Sequence, residues 1–364
     1  MKNKIIGGAF LLVISLLVLI NGCSKNDSST TNPVSNDTGT KWSVLGKLNV
    51  NNSVNTLCSD ANGYIYAAGS FTDNSGIYYV AKWDGSTWTN IGMNANNIIR
   101  KLCSDANGKL YAIGDFTDAN GKYYIAHWNG SSWTKIYNSV YQYAENFQFN
   151  ALYVDADGNM YASNGSLDRN NHFYVCLWNG NGLVQMGTIS ANWGIFALTS
   201  DVSGNLYAAG SFTDNNGYYY VAKWTGSTWV NIGLNVTSII DELCADKNGK
   251  VYAKGGFENT NNKYYIANWN GGSWTDNGLN ANAYIYNICT DPANNLYAVG
   301  GFTDAADYTE GSRYVAKWDG KTWTNLGGLV GTGIGGAMCT DANGDIYVSG
   351  FSSDNDVFVE VYKP

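Results

Sequence analysis

Residues 57–92 read LCSDANGYIYAAGSFTDNSGIYYVAKWDGSTWTNIG, and residues 102–137 read LCSDANGKLYAIGDFTDANGKYYIAHWNGSSWTKIY. The second is visibly a copy of the first. Further copies begin at Leu152, Leu198, Leu243 and Ile288, with a truncated one at Met338. Each holds an anchoring aspartate: Asp60, Asp105, Asp155, Asp201, Asp246, Asp291 and Asp341, spaced 45, 50, 46, 45, 45 and 50 residues apart. A period of about 40 to 50 residues built from several short strands is the pattern of a β-propeller.

Within one unit the residues spell four strands. VNTLCS is the first, and D-A-N-G makes a tight turn into YIYAAGSF. A longer T-D-x-x-G loop leads to YYVAKW, and D-G-S turns into TWTNIG. Asn-Gly and Asp-Gly pairs tolerate positive φ, which hairpin turns of the right twist require. The last copy stops after its third strand, at Val357–Tyr362, and the missing fourth is found at the other end of the chain. There Trp42-Ser43-Val44-Leu45-Gly46 matches Trp88-Thr89-Asn90-Ile91-Gly92. One N-terminal strand, six full units and three C-terminal strands amount to 28 strands in seven blades. Pairing the two ends in one blade removes the open edges that invite aggregation. The predicted fold is all-β: a closed seven-bladed propeller over residues 42–364.

The unit D-x-x-G-x-[IL]-Y-x-x-G-x-F-T…[VI]-A-x-W-[DN]-G-x-x-W-x-x-[IL]-G resembles the Trp/Gly-rich propeller repeats of secreted and lipid-anchored Bacteroidota proteins. It is more distantly similar to kelch/galactose-oxidase-type propellers and to those of fungal cortical polarity landmark proteins. The resemblance implies the fold and says little of function, which propellers vary freely. The copper site of galactose oxidase has no counterpart among these residues.

Composition agrees: 43 Gly, 27 Tyr and 13 Trp against 3 Pro, with 14% charged residues. Such a chain is rich in strand and turn formers. Without residues 1–22, which hold Lys2 and Lys4, 19 basic residues face 29 acidic ones. That balance argues against a nucleic-acid partner, because phosphate binding needs clustered Lys and Arg.

The chain opens on Met1-Lys2-Asn3-Lys4, an apolar run from Ile5 to Ile20, then Asn21-Gly22-Cys23. This is the form of a secretory signal, too short for a membrane span, and its end resembles the lipobox of bacterial lipoproteins. The expectation is a signal peptide over 1–22, an acylated Cys23, and a tether over 23–41. Residues 24–41 carry almost no apolar side chain, so they cannot offset their own ordering entropy; their reach is roughly 25 Å. Ser24 after the Cys resembles lipoproteins sorted to the outer membrane, which places a monomeric head in the periplasm or on the cell surface.

A residue present in every blade serves the blade, and one present once is free to serve a ligand. Twelve of the thirteen Trp fall at repeat positions and are expected to pack between blades. Cys58, Cys103, Cys244, Cys289 and Cys339 share one strand position and read as buried thiols. His127 occupies a scaffold position, and neither it nor His172 belongs to a recognisable nucleophile or metal motif. Thirteen residues after each anchoring aspartate stand Asp73, Asp118, Asp168, Asp214, Asn259, Asp304 and Asp354. These read as Asx-turns; the alternative is a rim for a cation, calcium being the one cofactor it suggests.

The breaks in the repeat point to a binding face. Tyr141 and Tyr143 lie in a lengthened connection, Trp193 is the one Trp outside the pattern, Tyr284 and Tyr286 precede the sixth unit, and Tyr308 and Arg313 lie in an insertion. All fall in connections that emerge on one mouth of a propeller. Aromatics beside amides and carboxylates suit a sugar ring or a protein partner. The resulting expectation is a lipid-anchored, non-catalytic binding module for a glycan or a protein. The alternatives are a polysaccharide hydrolase or lyase using Asp168, Glu145 or Glu310, and an accessory subunit of an outer-membrane complex.

Overall fold

Each D-x-x-G turn is organised by its own aspartate. Asp60 Oδ1 accepts the N–H groups of Asn62 and Tyr64 at 2.9 and 3.1 Å, and Gly63 takes a φ of 78°. The second oxygen accepts the hydroxyl of Tyr66, six residues on, at 2.9 Å. The same Tyr-to-Asp bond recurs from Tyr161, Tyr207, Tyr252, Tyr297 and Tyr347. A buried carboxylate is tolerable here because its lone pairs are filled by its own hairpin.

In the computed structural model the described residues are 41–137, 148–164, 173–189, 191–303, 314–328, 333–354 and 356–364. They form seven four-stranded antiparallel sheets. In the first, strand a is Val54–Ser59, b is Ile65–Gly69, c is Ala81–Trp83 and d is Trp88–Asn90. Five more blades repeat this order. The seventh joins Gly333–Thr340, Ile346–Phe351 and Val357–Tyr362 to the N-terminal Trp42–Val44. Its register is Trp42 on Tyr362, Ser43 on Val361 and Val44 on Glu360. The predicted propeller and its closure are therefore observed.

Strand a of each blade packs beside strand a of the next, so the seven first strands ring a central channel. Strand b is buried on both faces in six blades, for example IYAAG and LYAVG. This is why strand b reads as an unbroken run of apolar and aromatic residues rather than an apolar–polar alternation. Seven hydrophobic clusters sit between blades rather than within them: Tyr66, Ala68 and Val80 of the first blade pack with Leu102, Leu110 and Ala112 of the second. The tryptophans act as expected. Trp88, Trp133, Trp229, Trp274, Trp323 and Trp42 each donate Nε1–H to a main-chain carbonyl of the preceding blade, at 2.7–3.2 Å.

The six described cysteines are free. Burial raises the pKa of the five strand-a thiols and pushes that of Cys176 up to about 12. A thiol held protonated is a poor nucleophile. His127 stacks on Tyr111 at 4.8 Å, replacing the Lys that lies over a Tyr ring in other blades, such as Lys223 over Tyr207.

Candidate functional site: the mouth formed by the strand-a bulges

Because a–b and c–d turns leave one face of the ring, b–c loops and d–a connections leave the other. On that second face the described acids of the predicted rim organise their own loops. Asp73, Asp118 and Asp214 each accept two loop N–H groups at 2.8–3.0 Å, and Asn259 does the same at 3.0 and 3.2 Å. Asp354 falls outside this role. Ser352 accepts the loop N–H groups in its place, at 3.2 Å from Asp354 and Asp356. Ser352 stands two residues after Gly350, whereas Asp73 stands four after the equivalent Gly69, so the loop of the closing blade begins earlier. Among the described residues, no three His, Cys, Asp or Glu side chains form a group that could hold a metal ion. Cys23, Tyr141, Tyr143, Asp168, Asp304, Tyr308 and Arg313 lie outside the described residues.

The b–c loops are clamped to the d–a connections. Asn51, Asn96, Asn192 and Asn282 each pair with Thr72, Thr117, Thr213 and Thr303 respectively. The Asn amide donates to the Thr hydroxyl at 2.8–3.1 Å, and the Thr N–H donates back at 2.9 Å. Trp193 follows one of these clamps and is 62% exposed. It is thus a large apolar side chain held in water by a pinned loop.

A further set of residues surrounds the channel on this face. In all seven blades the a–b pairing slips near the start of strand a. Val54 opposes Gly69, but Thr56 opposes Ala68, leaving Asn55 as an extra residue. In the other complete blades the extra residue is Arg100, Asn150, Phe196, Asp241 or Tyr286. The residue after it is Thr56, Lys101, Ala151, Ala197, Glu242 or Asn287. Bulges commonly re-aim side chains beside functional sites. Here they fall at the two positions of strand a that the repeat does not keep, while the flanking V/I/F and L/I positions persist.

Among the described residues, the richest part of this mouth lies across blades 4 to 6. The Lys254 ammonium, with its side chain 5% exposed, sits 2.9 Å from Asp241 Oδ1 and 3.6 Å from Glu242 Oε2. It also donates to the Tyr286 carbonyl of the next blade at 2.8 Å and lies 5.3 Å from the Tyr284 ring centre. Tyr284 donates its hydroxyl to Asp241, and Glu242 accepts the N–H of Ile288 at 3.0 Å. Burial raises the Glu242 carboxyl above the usual range; Lys254 and Lys101 oppose the rise and Asp241 adds to it. Burial and the adjacent Asp241 likewise hold the Tyr284 phenol up. Aromatic residues hold the bulge position in the blades on either side, Phe196 in blade 4 and Tyr286 in blade 6. Phe196 and Asn150 close on Gly194, where a Cβ would fall 2.9 Å from the Phe196 ring and 3.2 Å from the Asn150 amide. Tyr286 lies over Gly301, whose missing Cβ leaves room for its hydroxyl.

On the other side of the channel, Arg100 makes a two-point ion pair with Asp115, both contacts at 2.6 Å, and Gln148 donates to the same carboxylate. Lys101 follows Arg100. Its positive charge is among those that oppose the rise of the Glu242 carboxyl. Of the residues singled out from sequence, the structure brings Tyr284 and Tyr286 into this mouth, and Trp193 stands three residues before Phe196. Sequence reasoning missed Arg100, Lys101, Phe196, Asp241, Glu242 and Lys254. The available signal was their variation within otherwise repeated strands.

No family model matches the chain, and no curated protein matches it in sequence. Its backbone is similar to several solved propellers. One is a catalytically inactive virginiamycin B lyase from Staphylococcus aureus with quinupristin, at 10% identity and a TM-score of 0.63, covering 89% of this chain and 99% of that one. The WD40 β-propeller domain of Doa1 gives 14% and 0.57, covering 88% and 96%. YCF48 bound to D1 peptide gives 13% and 0.56, covering 89% and 96%. At such identities the likeness is one of architecture alone, and the chain is a seven-bladed β-propeller.

Proposed function

We propose that the protein is a binding module that captures a ligand, a glycan or a protein segment, on the mouth formed by the strand-a bulges. The observation that carries this reading is the coincidence of two independent features. The positions that vary among otherwise repeated blades are the positions the bulges turn out of the sheet pattern. Residues needed for packing recur in each blade, whereas residues serving one asymmetric ligand have no reason to. Exposed Trp193 and the tyrosines beside carboxylates match the aromatic, hydrogen-bonding character of ligand sites. Two of the similar structures point toward peptides and proteins as partners of this architecture: YCF48 is bound to a D1 peptide, and another is part of a mitotic checkpoint complex.

Trp193→Ala tests the mouth. In a screen against glycan and peptide arrays the variant is expected to lose about tenfold or more in affinity for any ligand found, the scale of a truncated binding hot spot. Unchanged affinity would remove Trp193 from the site. The module is also proposed to be tethered through acylated Cys23 to the outer membrane, supported by the lipobox-like Ile20-Asn21-Gly22-Cys23 and the polar stretch after it. Cys23→Ser is expected to move the protein from the membrane fraction to the soluble one; continued membrane association after carbonate washing would rule the anchor out.

The second reading, a hydrolase or lyase, is favoured by one observation: the buried Lys254–Glu242–Asp241–Tyr284 group. Perturbed titratable groups gather at active sites, but structural ion-pair networks perturb them too. The structural role is visible here, since Lys254 ties blade 5 to blade 6 as Ser163 ties blade 3 to blade 4, through a strand-a carbonyl.

A further inference from the structure

At the end of its outer strand, blade 2 has Lys135 and Tyr137 where blade 1 has Asn90 and Gly92. Both side chains fold back onto their own blade. The Lys135 ammonium lies 4.6 Å from the centre of the Tyr124 ring. The Tyr137 ring stands 6.1 Å from that of Tyr124, and its hydroxyl donates to Asp118 Oδ2 at 3.1 Å. Tyr124 is braced edge-on by Phe116 at 4.9 Å. Asp118 is fixed because its other oxygen accepts the N–H groups of Asn120 and Lys122. A cation over a ring and a phenol on a carboxylate are thus seated side by side, from residues two apart on one strand.

Blade 4 builds the same cradle. Tyr220 meets Phe212 at 4.9 Å, and Asp214 Oδ1 accepts the N–H groups of Asn216 and Tyr218. The register is also the same, Asn231 opposing Ala222 as Lys135 opposes Ala126. Yet Asn231 and Gly233 stand in the places of Lys135 and Tyr137, and a cavity of about 250 Å³ opens there, lined by Asp214, Tyr220, Trp229, Val230 and Asn231 among others. Pockets that enclose a whole small molecule run to roughly 300–1,000 Å³, so this one suits one or two side chains. Among the described residues its lining holds a carboxylate and no basic group, which favours a cation. Its rim is apolar. Val230 and Tyr218 are exposed, and exposed Trp193 follows the Asn192 that clamps Thr213 of the cavity wall. Blade 1 repeats the cradle residues Asp73, Tyr79 and Asn90, but it has Asn52 and Thr89 where blade 4 exposes Trp193 and Val230.

We propose that the blade 4 cavity docks a protein partner through a segment with a basic and an aromatic side chain two residues apart, lysine-x-tyrosine in its simplest form. The ammonium takes the face of Tyr220, and the phenol donates to Asp214 Oδ2, the oxygen its loop does not use. The occupant is read from blade 2, where the chain supplies both groups itself. Trp193, Tyr218 and Val230 cover the remaining apolar surface of the segment. The cavity is lined by the outermost strand of its blade, so this site is separate from the channel mouth and does not depend on it.

The test is a fluorescence-anisotropy titration of the purified protein with a labelled, end-blocked peptide of sequence glycine-lysine-isoleucine-tyrosine-glycine. Forms with glutamine for the lysine, or alanine for the tyrosine, are the comparison. The parent peptide is expected to bind about tenfold or more tightly than either, the scale of one lost charge-assisted or hot-spot contact. Asn231→Lys, which fills the cradle as blade 2 does, should lower affinity for the parent peptide by a similar factor, as should Asp214→Asn. The fold already accepts both residues: Lys135 holds the first position in blade 2, and Asn259 organises the second loop in blade 5. Asp73→Asn, the matching change in blade 1, is expected to leave binding unaltered. Equal affinity for the three peptides overturns the proposal, as does binding indifferent to both blade 4 variants or weakened as much by Asp73→Asn. If instead the protein self-associates and Asn231→Lys disperses it, the occupant is a second copy and the separate partner is wrong.

Discussion

Trp42→Ala is expected to cost about 3–5 kcal/mol of folding stability, whereas Trp193→Ala changes it by no more than about 0.5 kcal/mol. Residue type is the same, and the difference lies in position. Trp42 is 5% exposed and donates Nε1–H to the Leu326 carbonyl at 2.9 Å. Its ring lies 5.2 Å from that of Tyr362, and its strand completes the seventh blade. Removing the indole opens a cavity and leaves a carbonyl unpaired at the one junction where the two ends of the chain meet. The next blade leans on the same strand, because Trp88 donates to the Leu45 carbonyl at 2.7 Å. Chemical denaturation measures both variants. A Trp42 variant with the wild-type midpoint would show that closure contributes little to the fold.

Gly255→Ala is expected to be as damaging, at about 3 kcal/mol, the upper part of the range for overpacking. The backbone at Gly255 is not left-handed, so the glycine is not there for its φ. A methyl group at Gly255 would overlap the Ile239 carbonyl oxygen and come within 3.0 Å of the Ile240 Cα. Those are main-chain atoms, which cannot swing away. Gly69, Gly114, Gly210 and Gly300 meet the equivalent carbonyls of Ser53, Ile98, Gly194 and Tyr284. The strand-a bulge brings this carbonyl in, and the residue after the glycine bonds to it: Gly256 N–H to Ile239 O at 3.1 Å. Substitution therefore strains the same bulge that aims Asp241 toward Lys254, so ligand binding should weaken along with stability. The control is Gly272→Ala. A Cβ there finds nothing nearer than Asn270 Oδ1 at 3.8 Å, and the change should be within about 0.5 kcal/mol. Equal effects of the two substitutions would show that crowding at the bulge is not the cause.

Much of the architecture was legible in residues 57–92 because the forces that shape a blade are local. Period-two alternation sets the strands, and Asp with Gly sets the hairpins. The rim aspartates illustrate the same locality. Asp73, Asp118 and Asp214 bond to N–H groups two and four residues ahead, which a turn motif predicts. Asp354 shows its limit. A fixed count of thirteen residues ignores that the closing blade reaches its loop two residues sooner, and only the hydrogen bonds reveal that Ser352 has taken the role.

The site was legible in part. Trp193, Tyr284 and Tyr286 broke the pattern visibly, whereas Arg100, Phe196 and Asp241 looked like ordinary variation inside a strand. That each is the extra residue of a bulge depends on the register with strand b, which propensity does not encode.

By itself the sequence determined the blade, the number of blades and the pairing of the two chain ends, since a repeat states its unit, its copy number and its missing piece. Only the tertiary structure decided which side chains share the channel mouth. Lys254 and Asp241 of one blade meet Tyr284 and Tyr286 of the next because a ring of seven blades packs each strand a beside its neighbour. That convergence is a property of the closed circle and not of any segment of it.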